Sequence, residues 1–465
     1  MNPTAKTRKN SDGGAPVGQA SRPERRLPRD ATTLPLDRGE LLVSRSHAVF
    51  CRIPPEYGAG IHGVLEGARP LDSLPGDLLE DLDDHGFFGE PRPPEEVIPT
   101  VQLQITNECN LDCTYCCTNS GCARSREVTY EQARTVVHHG REVLGPGGRM
   151  SLLGGEPLTV PWCLDLAQEM VELDLDTCLF TNGLPLRESG RARQVAELSQ
   201  AGMEVRVSLA GPDAPLCDSI SGTERFEPAL QGLHELARHG GQAVVNLMLM
   251  PQNYEAVAAR LHELKENLPP KFSVALGVLY VSGREAGEHV FASPEELEGA
   301  LDTIAFEAGE RIPVAPPSPL THRREGCGCA LGHHLHMRSD GALFPCFKME
   351  EKLGTLHDTA FKEAMLKNRA NPHRAPDLQV CKDCPLATLC GGGCRSENIL
   401  YTGDGDVPYC APWRVRVLSE LLAEDAVKAL EWPLAQLAAE ARRRGIDAPE
   451  RLEVTRPSRH LWDAE

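Results

Sequence analysis

The chain has 465 residues, 41% of them apolar, and 48 Lys and Arg against 67 Asp and Glu give a formal net charge of −19. That is enough apolar material for two or three domains and excludes a wholly disordered protein. The acidic balance argues against general nucleic-acid binding, no run approaches the roughly 18 apolar residues of a membrane span, and no apolar secretory segment begins the chain, so the expected location is the cytoplasm.

In chain order, residues 1–33 read as a disordered arm, with Arg8, Lys9, Arg22, Arg25, Arg26 and Arg29 set among Pro, Gly and Ser. Residues 34–92 offer two short β-rich runs around a turn at Arg45, Ser46 and His47. A helix around Ile61 to Leu65 follows, then a second with Leu78, Leu79, Leu82 and Phe87 near one side. A Pro-rich break precedes residues 100–315, where six apolar β runs (101–106, 149–155, 176–183, 204–211, 242–250 and 272–281) alternate with amphipathic helices. Such repetition predicts an α/β fold with a parallel sheet, helices outside, and a ligand site at the C-terminal ends of the strands. Residues 326–412 turn to Cys, Gly and short turns, a stretch that relies on metal more than on a hydrophobic core; 413–465 form a helical tail.

Seventeen cysteines are the anomaly, because a reducing compartment does not maintain structural disulfides and thiols there more often serve metal sites. Three lie in eight residues, as Cys109-x3-Cys113-x2-Cys116 directly after the first strand of the α/β domain, and eight lie between Cys327 and Cys410. Three thiolates are one short of a closed zinc site or a fully ligated four-iron cluster, so a cubane held this way keeps one iron open for catalysis.

This loop, with Tyr115 before its last cysteine, resembles the signature of the radical SAM superfamily, enzymes of S-adenosylmethionine (SAM) and a [4Fe-4S] cluster. Gly154, Gly155, Glu156 and Pro157 look like the family's GGEP motif, which contacts the amino group of SAM; the glycines allow close backbone approach and Glu156 can accept from an ammonium. Thr181, Asn182 and Gly183 look like the family's TNG, and Ser208 ends the fourth strand where family members contact the ribose or carboxylate of SAM. The resemblance implies a partial (β/α)6 TIM-like barrel. It also implies reductive cleavage of SAM to a 5′-deoxyadenosyl radical that abstracts hydrogen from substrate. A small zinc site is the structural alternative.

The string Cys381-x2-Cys384-x5-Cys390-x3-Cys394-x15-Cys410, with Cys329-x11-Gly341-x4-Cys346 upstream, resembles the SPASM extension with its two auxiliary [4Fe-4S] clusters. By that resemblance Cys381, Cys384, Cys390 and Cys410 hold one cluster. Cys346 and Cys394 hold the other with Cys329 and a further thiol, for which Cys327 is the candidate, unless three cysteines leave that cluster open. Eight thiols also suffice for two four-cysteine zinc sites. His333, His334 and His336 lie nearby, but a strand divides them between two faces, so a structural role is expected of them.

Residues 34–92 resemble the winged-helix peptide-recognition unit of ribosomal-peptide maturases, which implies a leader peptide added as a strand along an exposed edge; the other reading is a structural cap on the barrel. Phe347 stands where sulfatase-maturing relatives carry an aspartate base, which puts formylglycine formation in doubt. Arg284, near a strand end with Asn246 and Tyr280, is a pocket candidate. The expected function is modification of a ribosomal precursor peptide by oxidative thioether or carbon-carbon cross-linking, served by a low-potential donor such as flavodoxin or ferredoxin, with no nucleic-acid or membrane partner. The alternatives are oxidation or rearrangement of a protein or small molecule in cofactor biosynthesis, and, from another class, an iron-sulfur electron carrier or zinc-stabilised binding protein.

Overall fold

The structure, a computed structural model, describes residues 25–35, 39–47, 49–90, 100–121, 127–279, 289–292, 294–308 and 334–356, with single positions and short pieces from 363 to 407. Tyr280, Arg284, Cys327, Cys329, His333, Cys384, Cys390, Cys394 and Cys410 lie outside the described residues, as do the 413–465 tail and residues 1–24 of the arm.

The first unit holds three antiparallel strands in the order β1 (Thr32–Pro35), β2 (Glu40–Ser44) and β3 (Val49–Ile53), then α1 (Pro55–Leu65) and α2 (Gly76–Asp84). The strand β1 begins inside the stretch whose composition reads as an arm. The chain is already tied down at Arg25, which pairs with Asp83 at 3.5 Å and lies over the Phe88 ring. Leu42, Val49, Cys51, Ile53, Ile61, Leu78, Leu82 and Phe87 form this unit's own core. Phe87 lies beyond α2 and reaches that core because its N–H folds back onto the Leu82 carbonyl at 2.9 Å.

All six strands expected of the α/β domain form, as β4 (Thr100–Gln104), β5 (Arg149–Leu153), β6 (Asp176–Thr181), β7 (Glu204–Leu209), β8 (Val244–Leu249) and β9 (Ser273–Val278). They pair in parallel and in sequence order. Helices alternate with them: α3 (Tyr130–Leu144), α4 (Cys163–Glu172), α5 (Ser189–Gln200), α6 (Ala214–Ser221), α7 (Phe226–Arg238), α8 (Tyr254–Asn267) and, after β9, α9 (Pro294–Ala308). Local signals set their limits. A reciprocal capping box between Thr129 and Gln132 starts α3, and Val257, Leu261 and Leu264 line the buried stripe of α8.

The two faces of the sheet differ in chemistry. Val205, Val207 and Leu209 on β7, and Val245, Leu247 and Leu249 on β8, are buried in the core shared with the helices. The alternate residues (Gln102, Gln104, Ser151, Glu204, Arg206, Ser208, Asn246) face the inside. A parallel sheet covered by helices on both faces reads as continuous apolar runs; strict alternation marks a barrel with a polar lumen. Its rims meet above the strands, where His289, after β9, bonds Thr114, after β4, at 3.0 Å. The fold is therefore the partial (β/α)6 barrel.

The strand β10 (His334–Met337) comes from the Cys-rich stretch but pairs in parallel with β4, and β11 (Ala342–Phe344) and β12 (Gly354–Thr355) follow antiparallel. Gly341, at φ +82°, makes the β10–β11 turn that an L side chain would strain. Of the cysteines without a motif, Cys51, Cys163, Cys178 and Cys217 are buried and their thiols are pushed up, chiefly by burial.

Candidate active site

Beyond β4 the chain from Thr106 to Gly121 doubles back to hold the three clustered cysteines. Cys109 N–H donates to the Gly121 carbonyl (3.0 Å) and Gly121 N–H to the Asn107 carbonyl (3.1 Å). The Glu127 carboxylate clamps the root of the loop, accepting from the Thr106 hydroxyl and the Asn107 N–H at 2.7 Å each. Each sulfur meets a donor: Ser120 N–H at 3.2 Å from Cys116, Asn182 Nδ2 at 3.9 Å from Cys109, and Arg225 Nη1 at 4.0 Å from Cys113. Donors to cysteine sulfur stabilise thiolate ligands and raise the potential of the centre they hold. Among the described residues no three His, Cys, Asp or Glu side chains gather tightly enough to hold one metal ion.

The two glycines let the end of β5 lie directly on this loop. A Cβ at Gly154 would sit 2.7 Å from the Thr106 carbonyl oxygen and one at Gly155 2.2 Å from that of Glu108. Through this contact Gly155 N–H donates to Thr106 O and Glu156 N–H to Glu108 O, both at 2.9 Å.

Glu156, expected to accept from an ammonium, is also engaged by the protein itself. It has no exposed surface, and its carboxylate accepts from Leu158 N–H (3.0 Å), the Thr181 hydroxyl (2.8 Å) and Asn182 N–H (2.7 Å). It braces the GGEP loop against the TNG turn. Burial raises its pKa to about 7 against the lowering effect of these donors. The folded state therefore holds the proton more tightly than the unfolded chain, and this group's contribution to stability is present below about pH 4.5 and lost as pH rises through about 7. Glu156→Gln sets an amide N–H against one of the three donors, a cost of about 1–3 kcal/mol. In thermal unfolding between pH 4.5 and 8, that cost is expected to be largest at the acid end and to shrink toward pH 7. A cost that does not vary with pH would contradict the assignment.

Asn182 also reaches the cysteine loop, its Nδ2 donating to Asn110 Oδ1 at 2.7 Å. Ser208 is half-buried on the lumen side of β7. Tyr115 is buried, with its hydroxyl 3.4 Å from Arg225 Nη1.

Arg225, just before α7, is the residue that sequence reasoning missed. It is 2% exposed; Nη2 donates to the carbonyls of Ser208 and Asn182, Nη1 faces Cys113 and Tyr115, and the buried Nε has no partner. Among the described residues no carboxylate bonds its guanidinium. A buried guanidinium in that state is a standing positive charge beside the Cys113 thiol, and an incoming anion would complete it. In the sequence it is one arginine in a short polar run between two helices, with no feature that separates it from a solvated residue.

Residues 103–264, from β4 into α8, match the model of the radical SAM superfamily. The span from β4 into α8 is thus similar to a radical SAM domain. It is 24% identical over 357 residues to the PqqA peptide cyclase of Xanthomonas oryzae pv. oryzae, covering 72% of this chain and 93% of that one. It is also 26% identical over 345 residues to the AdoMet-dependent heme synthase of Methanosarcina barkeri, covering 67% and 95%. Among solved structures, Streptococcus suis SuiB with bound SAM shares the fold at a TM-score of 0.52 and 15% identity, over 82% of this chain and 98% of that one. The enzyme anSMEcpe with bound AdoMet does so at 0.51 and 17%, over 74% and 99%.

The radical SAM core takes a [4Fe-4S] cluster and SAM, and the residues present fit both. Three half-buried thiols with a donor each suit three irons, and the buried Arg225 guanidinium, its Nε unpartnered among the described residues, suits the carboxylate of SAM. Of the cysteines assigned to auxiliary clusters, Cys346 and Cys381 are described and buried; Cys346 packs with Met349 beside Phe347 and Ile399. His334 and His336 share one face of β10. His336 is buried edge-on to Phe347, and burial lowers its pKa to about 3, so it stays neutral. Among the described residues no helix is long and apolar enough to cross a membrane.

Proposed function

We propose that this enzyme modifies a ribosomally made precursor peptide in the cytoplasm, by oxidative thioether or carbon-carbon cross-linking. A flavodoxin or ferredoxin would supply electrons, and Cys327, Cys329, Cys346, Cys381, Cys384, Cys390, Cys394 and Cys410 would hold two auxiliary clusters of a SPASM domain. What carries the reading is the joining, in one chain, of a radical SAM site to an N-terminal antiparallel sheet whose outer strands are β1 and β3. An extended leader peptide can add to such an edge. The reading is supported by the name of the Xanthomonas relative, a peptide cyclase, and by a structure of SuiB bound to its precursor peptide SuiA.

A cluster and SAM held here would supply radical abstraction of a hydrogen atom, and auxiliary clusters would supply an acceptor for the electron that substrate oxidation releases. The chain's own residues do the rest. Cys109, Cys113 and Cys116 would hold the cluster, Arg225 would offer its charge to the SAM carboxylate, Ser208 presents a hydroxyl from the lumen side, and Glu156 keeps the two turns in register. The similarity to a heme synthase favours a second reading, in which the same core acts on a small molecule.

Anaerobically reconstituted enzyme is expected to bind about twelve irons and to form 5′-deoxyadenosine under a strong reductant. Co-expression with short open reading frames beside its gene should give a peptide lighter by about two mass units per cross-link. Absence of deoxyadenosine, with zinc as the bound metal, would sink both readings. Deoxyadenosine formed without any change in such peptides would favour the small-molecule reading.

A further inference from the structure

Below the site, the lumen carries a charged stack. Side chains alternate along β7, so Arg206 lies on the same face as Ser208 and roughly 6–7 Å deeper, with Glu204 a further step down. Arg206 Nε and one terminal nitrogen of Arg149 both bond the Glu204 carboxylate, and the other terminal nitrogen of Arg149 reaches Asp176 at 2.7 Å. The order is uneven. Arg149 holds one carboxylate and a share of a second, whereas Arg206, nearest the chemistry, has only its share of Glu204.

The rest of the Arg206 head is positioned but not consumed. Nη1 donates to Asn246 Oδ1 at 3.4 Å and the guanidinium lies over the Phe180 ring at 5.9 Å. Among the described residues, Nη2 of Arg206 and Nδ2 of Asn246 have no acceptor. Side-chain exposures of 25% for Arg206, 27% for Glu204 and 30% for Arg149 show that the lumen is open to solvent at this level, unlike the packed interior of a complete TIM barrel.

We infer that Arg206, with Asn246, binds a carboxylate of the substrate and so sets which carbon-hydrogen bond stands beneath the SAM site. The Phe180 ring and Glu204 hold the guanidinium in one orientation, which leaves Nη2 and the Asn246 amide as adjacent donors for a carboxylate. This rests on the proposed peptide substrate. The carboxylate can be an acidic side chain or a chain terminus, since both present the same two oxygens.

The test is calorimetric titration of the SAM-loaded, reconstituted enzyme with three pentapeptides: one end-blocked with a central glutamate, one end-blocked with a central glutamine, and the glutamine peptide with a free C-terminal carboxylate. One or both acidic peptides should bind about ten- to a hundred-fold tighter than the neutral one, and which of them does so identifies the source. Arg206→Gln should erase the preference and Arg206→Lys should keep part of it. Glu204 retains Arg149 in both variants, so unchanged circular dichroism and iron content are expected. Equal binding of all three peptides, binding of none, or a preference that survives Arg206→Gln would overturn the inference. Deoxyadenosine formation by the same preparation is scored separately, so failure of the radical SAM reading is distinguishable from failure of this one.

Discussion

Replacing Cys109, Cys113 and Cys116 together by alanine is expected to reduce deoxyadenosine formation to background while the chain still folds. Function should vanish because three irons would lose their protein ligands at once. Folding should persist because the loop is closed by its backbone and by Glu127, through the Cys109–Gly121, Gly121–Asn107, Thr106–Glu127 and Asn107–Glu127 bonds, which alanine leaves intact. Substitutions of this kind at half-buried positions cost on the order of 1 kcal/mol. Iron content should fall by about four per chain, leaving any auxiliary clusters in place. Iron analysis, thermal unfolding and the deoxyadenosine assay together check this; cleavage that persists in the triple variant would show that the ligands lie elsewhere.

Arg225→Met should be nearly as damaging, for two separable reasons. The Ser208 and Asn182 carbonyls lose their donor, which costs roughly 1–3 kcal/mol each in stability. The site also loses its standing charge. Affinity for SAM should drop by roughly ten- to a hundred-fold, the worth of a charge-assisted hydrogen bond to a carboxylate. With the cation gone from beside Cys113, adding an electron to the cluster becomes harder, so its midpoint potential should move to more negative values. Arg225→Lys restores the charge without the fork; it should recover the potential more fully than the stability, because one ammonium cannot span both carbonyls and the sulfur. Potentiometric titration and SAM binding on the two variants separate these effects. A potential unmoved in Arg225→Met would show that the guanidinium acts through packing alone.

The strands were legible because a strand's signal is local. Six β-rich runs at barrel spacing predicted six parallel neighbours, and the C-x3-C-x2-C spacing predicted an open-site cluster loop without reference to anything distant. The roles of Glu156 and Arg225 were not legible in the same way. Glu156 reads as an acceptor for a ligand because its motif says so, and only the fold shows that Thr181 and Asn182, 25 and 26 residues on, donate to its carboxylate. Arg225 lies 112 residues from Cys113 in the chain, and only the order of β4 to β7 places α7 behind the cysteine loop. The strand β10 shows the same limit, since a run in the Cys-rich stretch gives no sign that its partner is β4.

What the sequence determined by itself, then, is chemistry set by covalent spacing: the cysteine triplet, the glycine pair after the second strand, and the apolar runs that become the parallel strands. What only the tertiary structure decided is electrostatic. Which carboxylate is already spent, which arginine is buried without one, and which stands half-used in the lumen all depend on strand order and curvature. Charges interact across space with a strength set by distance and burial, and neither quantity is written in the spacing of residues along the chain.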